Sequence, residues 1–326
     1  MQGKPLVSGI NLHKLSEVTL ALLLSPLLGY VLAAALLLLS KRWFPDPSLH
    51  RPPSTTSSPS KWVRGLLVTT CTGVSFAHGS NDGQKGMGLV MLILIGMMPV
   101  EFALNRDTSL LHVADSLHEV RSVLGPTGSQ PVSAPHWALV APELSAVESL
   151  LAGKSSVNQL PTQSRWTVRV ELLKIQNWLS DVRKSAEYKG NPQLVAAKKG
   201  IADAVEYVPF WVILCVALSL GLGTTIGWQR IVVTVGEKIG KSHLTYSQGA
   251  AAELVAMGTI GIASFSGLPV STTHVLSSGV AGTMWANRSG LNFSTVKQIA
   301  AAWVLTLPAT MLLACGFFAL GRTLLA

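Results

Sequence analysis

The sequence predicts an all-α integral membrane protein, and three observations carry that expectation. Of its 326 residues 48% are hydrophobic and only 13% are charged, about half the charged share of an ordinary soluble domain. The mean hydropathy is +0.42. The apolar residues also gather into stretches at 17–40, 86–100, 208–228 and 299–320, most of them long enough to cross a hydrocarbon core of about 30 Å as helices.

Residues 1–40 read as an N-terminal segment and a first transmembrane helix. The opening 1–16 is polar, and the apolar run behind it is long and followed by Lys41 and Arg42, which fits a retained span better than a cleaved signal peptide. A flexible basic connector is expected at 41–64. Its stretch 44–60 is dense in Pro, Ser and Thr, and Lys41, Arg42, Arg51, Lys61 and Arg64 face Asp46 alone. The formal charge of +9 is scattered elsewhere, so the positive-inside rule explains it and nucleic acid is not an expected partner.

Residues 65–100 are expected to hold a broken transmembrane helix. Within 73–88 (GVSFAHGSNDGQKGMG) an apolar approach gives way to His78, Ser80, Asn81, Asp82, Gln84 and Lys85, interleaved with Gly79, Gly83, Gly86 and Gly88. Such glycines permit an unwound backbone, which a membrane tolerates around a cavity. The competing reading is an inter-helix turn capped by Asn81 or Asp82.

Residues 101–206 turn soluble, with balanced charge and helical spacing of apolar residues at 166–182, and are expected to form a helical extramembrane insert. Its early part, 124–142, is rich in proline and is expected to be irregular. Trp43, Trp62, Trp211 and Trp228 sit near the ends of apolar segments, as interfacial anchors do. Cys71, Cys215 and Cys315 are far apart, without metal-ligand spacing, and indicate neither a disulfide framework nor a metal site.

Residues 207–326 are expected to form a C-terminal transmembrane region with a re-entrant hairpin. In 250–285 two apolar pieces, each short for a span, flank Ser266-Gly267-Leu268-Pro269 and Ser271-Thr272-Thr273-His274. Pro269 ends one helix and Ser271 can cap the next, so Thr272, Thr273 and His274 fall in a first turn whose amides can hold an anion. The plain alternative is a capping motif on a tight hairpin. Short, Gly/Pro-interrupted apolar segments point to a transporter binding site, and two of them favour the functional reading of both. Glu253, alone in an apolar run, is a functional candidate or an interfacial acid. The stretch 236–242 (GEKIGKS) has one residue too few between its glycines for a phosphate-binding P-loop. The pairs Gly223/Gly227 and Gly236/Gly240 have the spacing of close helix packing. No catalytic set emerges, and no enzyme is expected.

Taken together, 78–96 (HGSNDGQKGMGLVMLILIG), 207–228, 236–241 (GEKIGK) and 267–283 (GLPVSTTHVLSSGVAGT) closely resemble the bacterial PiT-type inorganic phosphate transporters in order and spacing. The resemblance implies an inverted-repeat transporter, of which 1–40 matches the closing span of the first half and the remainder the whole second half. It implies inorganic phosphate as substrate, held by Asn81, Asp82, Ser271, Thr272 and Thr273. His78, Ser80, Lys85, Glu253 and His274 are second-rank or coupling candidates. No cofactor is implied beyond a coupling proton, sodium ion or divalent metal carried with phosphate. The resemblance further implies a multi-pass protein of the bacterial inner membrane, in a lipid bilayer, partnered by a separate N-terminal half or a second copy of the chain. A truncated or accessory membrane protein without transport, and a membrane enzyme acting on phosphate esters, are the competing classes.

Overall fold

Every regular element among the described residues is helical. The computed structural model describes residues 12–53, 58–125, 137–185 and 188–325, with two isolated bridge pairs, Ser109 with Ser156 and Gly240 with Leu291, as the extended pairing found there. The polar opening 1–11, the Ser/Thr tract 54–57 and most of the expected irregular stretch, 126–136, lie outside the described residues. The chain divides into two compact units, Met1–Gln84 with Leu218–Ala326, and Lys85–Ala217.

The first unit opens with α1 (Leu12–Trp43), which continues through Pro26 and ends on Lys41 and Arg42. Helix α2 (Lys61–Met97) follows. The expected break at 73–88 is absent: α2 is continuous through the glycines and the Ser-Asn-Asp triplet. Each interior glycine costs a helix about 1 kcal/mol. The side chains of His78, Asn81 and Asp82 offset that cost by taking partners on one face, as described below.

The second unit continues with α3 (Pro99–Phe102), α4 (Leu110–Leu124), α5 (Trp137–Leu151), α6 (Thr162–Val182) and α7 (Pro192–Val205). Residues 137–142, expected to be irregular, are instead the first turns of α5, which accommodates Pro142. On α6 the buried Val168, Leu172, Ile175, Leu179 and Val182 recur at helical spacing and form one stripe. They meet Leu110, Val113, Leu117 and Val120 of α4, Leu144 and Val147 of α5, and Leu194 and Ile201 of α7 in one core. Asn191 caps α7 by accepting from the amides of Gln193 at 2.9 Å and Leu194 at 3.2 Å, ahead of Pro192 at the first helical position.

Arg169 fastens this core to its exits, because one guanidinium nitrogen donates to the carbonyls of Ala103 and Val205, each at 2.8 Å. Burial pulls the Arg169 guanidinium below its ordinary value, with Tyr207 and Glu206 acting the other way. Two hydrogen bonds from a charged donor are each worth about 1.5–3 kcal/mol, so Arg169→Met is expected to destabilise the insert by about 2–4 kcal/mol. Amide hydrogen exchange in α6 and α7 reads this directly, and unchanged protection would refute it.

Helix α8 (Phe210–Thr225) follows α7 across a 72° bend, then α9 (Trp228–Val233), α10 (Tyr246–Ser266), α11 (Thr272–Ala286) and α12 (Phe293–Leu325). Among the described residues three helices are long and apolar enough to cross a membrane, Leu15–Trp43, Tyr246–Ser266 and Phe293–Gly321, and the bent pair α7 and α8 passes the same test when taken together. Together with the outward-facing Leu, Val, Phe and Trp side chains on them, they mark a membrane protein.

One expectation about the hairpin changes. With 21 residues, α10 extends about 31 Å and is not short for a span. The apolar run begins at Ala250, but Thr245 and Gln248 form a capping box that starts the helix at Tyr246. The 15 residues of α11 reach only about 22 Å and remain short.

Helices α1 and α11 meet backbone to backbone. A Cβ added to Gly282 would lie 2.1 Å from the Tyr30 carbonyl oxygen, and one added to Gly29 would lie 2.5 Å from that of Val275. Ala33 and Ala252 flank Gly279 in the same seam, the small-residue packing that membrane helices use. By contrast, a Cβ at Gly223 or Gly227 would meet nothing within 4 Å, so among the described residues that pair packs against no helix; Gly227 takes the left-handed conformation ahead of α9. The 236–241 stretch forms a π-helical turn and then pairs with the chain near Leu291, with Gly240 tight against the Met284 side chain.

Candidate functional site

Because α2 is continuous, residues 70, 74, 77, 78, 81 and 82 share its inward side. Val74 and Ala77 pack into an apolar layer with Ala256, Ile260 and Ala263 of α10 and Val270 and Val275 of the hairpin. His78, Asn81 and Asp82 stand where that layer stops.

Each of these polar residues finds a specific neighbour. His78 Nε2 lies 3.0 Å from Asp82 Oδ2 and 2.8 Å from Thr272 Oγ1. An ionised carboxylate only accepts, so Nε2 carries the proton and bridges α2 to the first residue of α11. Asn81 is 4% exposed, and its amide nitrogen donates to Ser264 Oγ at 2.9 Å. Its other polar atom, Oδ1, is buried without a hydrogen-bond partner. A buried acceptor in that state costs about 1–3 kcal/mol, and a donor or a cation would relieve the cost. Farther along the same face, Thr70 donates to Glu253 Oε2, so the half-buried Glu253 faces α2.

The hairpin is built as its breaker residues predict. Helix α10 stops at Gly267, which adopts a left-handed conformation at φ 65° and donates its amide to the end of the helix. Ser271 then caps α11, accepting from the His274 amide at 3.4 Å. Successive residues in the first turn point about 100° apart, and this divides the motif. Thr272 turns to His78, while Ser271, Thr273 and His274 turn to an open pocket of about 480 Å³. Ser277, Arg230, Thr234 and Thr306 complete its polar lining, and Trp303 forms an apolar wall. His274 stacks on Trp303 with ring centroids 4.0 Å apart, and its Nδ1 is buried without a hydrogen-bond partner.

The sequence-predicted residues therefore fall into two groups. Asn81, Asp82, His78 and Thr272 form an oxygen-rich junction, with Asn81 and Thr272 buried and His78 and Asp82 partly exposed. Ser271, Thr273 and His274 open onto the pocket. Ser80 and Lys85 are exposed on α2. Sequence reasoning missed Ser264, Thr70 and Arg230. Ser264 had a signal, a small hydroxyl one turn before the helix break, whereas Thr70 reads like any threonine in an apolar helix. Arg230 is one of many scattered basic residues.

A sequence profile of the phosphate transporter family matches residues 2–314. The low-affinity inorganic phosphate transporter of Buchnera aphidicola from Acyrthosiphon pisum is 37% identical over 94% of this chain and 69% of its own length. Low-affinity inorganic phosphate transporter PitA of Escherichia coli K12 is 35% identical over 98% of this chain and 71% of its own. A probable low-affinity inorganic phosphate transporter of Bacillus subtilis is 26% identical over 92% and 57%. No solved structure matches the chain. A match that runs almost the whole length of the sequence, across both the junction and the capped hairpin, identifies the chain as a member of the phosphate transporter family.

Proposed function

We propose that the chain carries inorganic phosphate across the bacterial inner membrane, with a cation on the junction and the anion in the pocket. The observation that carries this reading is the Ser271-capped first turn of α11, whose Thr273 opens onto the 480 Å³ pocket. Free amides and the positive end of a helix dipole favour an anion there. Ser271 and Thr273 supply hydroxyls to phosphate oxygens. Phosphate would not sit against the Asp82 carboxylate unaided, since two anions in a low-dielectric site repel. Asp82 and the unpartnered Asn81 Oδ1 are acceptors suited to a coupling cation, whether proton, sodium ion or a divalent metal carried with phosphate. Thr272, bonded to His78, links the two groups.

In this reading α10 and α11 form a re-entrant hairpin, since α11 is too short to cross. The segments 1–40, 65–100 and 207–326 make the membrane part, 41–64 a cytoplasmic connector and 101–206 an extramembrane insert. An inverted counterpart, supplied by a separate N-terminal half or a second copy, would complete the transport path. Cation-coupled symport then follows by alternating access.

Thr273→Ala tests the anion side. Losing one hydrogen bond to a charged ligand costs about 1.5–3 kcal/mol, so the phosphate KM for uptake is expected to rise about ten- to a hundredfold. Uptake of labelled phosphate into vesicles measures it, and wild-type KM would remove Thr273 from the site.

A further inference from the structure

We infer that Arg230 is the fixed positive charge that holds phosphate in the α11 pocket; this rests on the reading of that pocket as the phosphate site. Arg230 comes from α9, an element outside both motifs, and lines the pocket with Ser271, Thr273 and His274. No acidic residue lines it. The Arg230 side chain has no hydrogen bond or ion pair with any described residue, so its five donors are available to a ligand.

The chemistry requires such a group. A helix end contributes roughly half a positive charge and neutral hydroxyls contribute none, whereas phosphate carries one to two negative charges near neutral pH. A guanidinium is charged at every working pH and donates two parallel hydrogen bonds to a phosphate edge. Arg230 thus selects an anion with two adjacent oxygens, and the hydroxyls of α11 orient it.

Equilibrium binding of radiolabelled inorganic phosphate to the purified full chain in detergent tests this. Arg230→Gln is expected to weaken binding about ten- to a hundredfold and Arg230→Lys less, because lysine keeps the charge and loses the fork. A second arm uses Arg230→Cys in a background with Cys71, Cys215 and Cys315 replaced by Ala. Attaching an aminoethyl group to the thiol should restore part of the affinity, and a sulfonatoethyl group should not. Equal affinity after the two reagents would overturn the assignment even if Arg230→Gln fails to fold. The double variant Ser271→Ala/Thr273→Ala separates the two claims. If it loses binding while Arg230→Gln keeps wild-type affinity, Arg230 is wrong and the pocket stands. If both keep wild-type affinity, the pocket reading falls with it.

Discussion

Asp82→Asn is expected to cut phosphate uptake about ten- to a hundredfold while leaving phosphate binding much less affected. The carboxylate lies 3.0 Å from His78 Nε2, and that nitrogen also reaches Thr272 at the start of α11. An amide of the same shape keeps the packing and removes the charge; the partly exposed contact with His78 is itself worth about 1 kcal/mol or less, so a larger loss reads the charge that faces the coupling cation. If the junction holds the coupling cation, the variant loses the neutralising partner that makes moving an anion through a low-dielectric path tolerable. The rate then falls more than the affinity, and the dependence of uptake on the cation gradient flattens. Thr272→Val gives the complementary result, because it breaks the link between junction and hairpin without touching the charge. Wild-type uptake by Asp82→Asn, with its cation dependence intact, would sink the assignment of a cation to the junction.

The capped hairpin was legible because its signals are local: Gly267 supplies a left-handed residue, Pro269 stops a helix, and Ser271 offers an oxygen to its own third neighbour. The continuity of α2 was not legible. Gly79, Gly83, Gly86 and Gly88 argue for unwinding, and what opposes them comes from other elements: Ser264 for Asn81, Thr272 for His78, and the apolar layer of α10 against Val74 and Ala77. Tertiary contacts supply most of a helix's stability, and propensity does not record them. The division of Ser271, Thr272 and Thr273 between two surroundings was likewise invisible, since three adjacent hydroxyls look equivalent until a partner helix selects one.

Gly282→Val should have the largest effect on stability, about 3 kcal/mol or more, with the folded protein lost on mild heating. Overfilling a packed site typically costs about 1–3 kcal/mol. Here the obstacle is not a side-chain tip that can rotate away but the Tyr30 carbonyl oxygen, 2.1 Å from where the new Cβ would stand. Relief requires α1 and α11 to separate, which forfeits the seam that also contains Gly29, Ala33 and Gly279. Gly29→Val is expected to do similar damage, since its Cβ would meet the Val275 carbonyl at 2.5 Å. Combined, the two should cost less than their sum: once one has parted the helices, the other has little left to disturb, and coupling of about 1–3 kcal/mol is expected for such neighbours. Gly258→Ala on α10, where an added Cβ meets nothing within 4 Å, is the control and should be neutral or gain up to about 1 kcal/mol of helix propensity. Thermal unfolding in detergent, followed by tryptophan fluorescence, measures all four. Strict additivity of the two valine substitutions would mean that α1 and α11 do not share one seam, and the placement of the hairpin against the first helix would have to be redrawn.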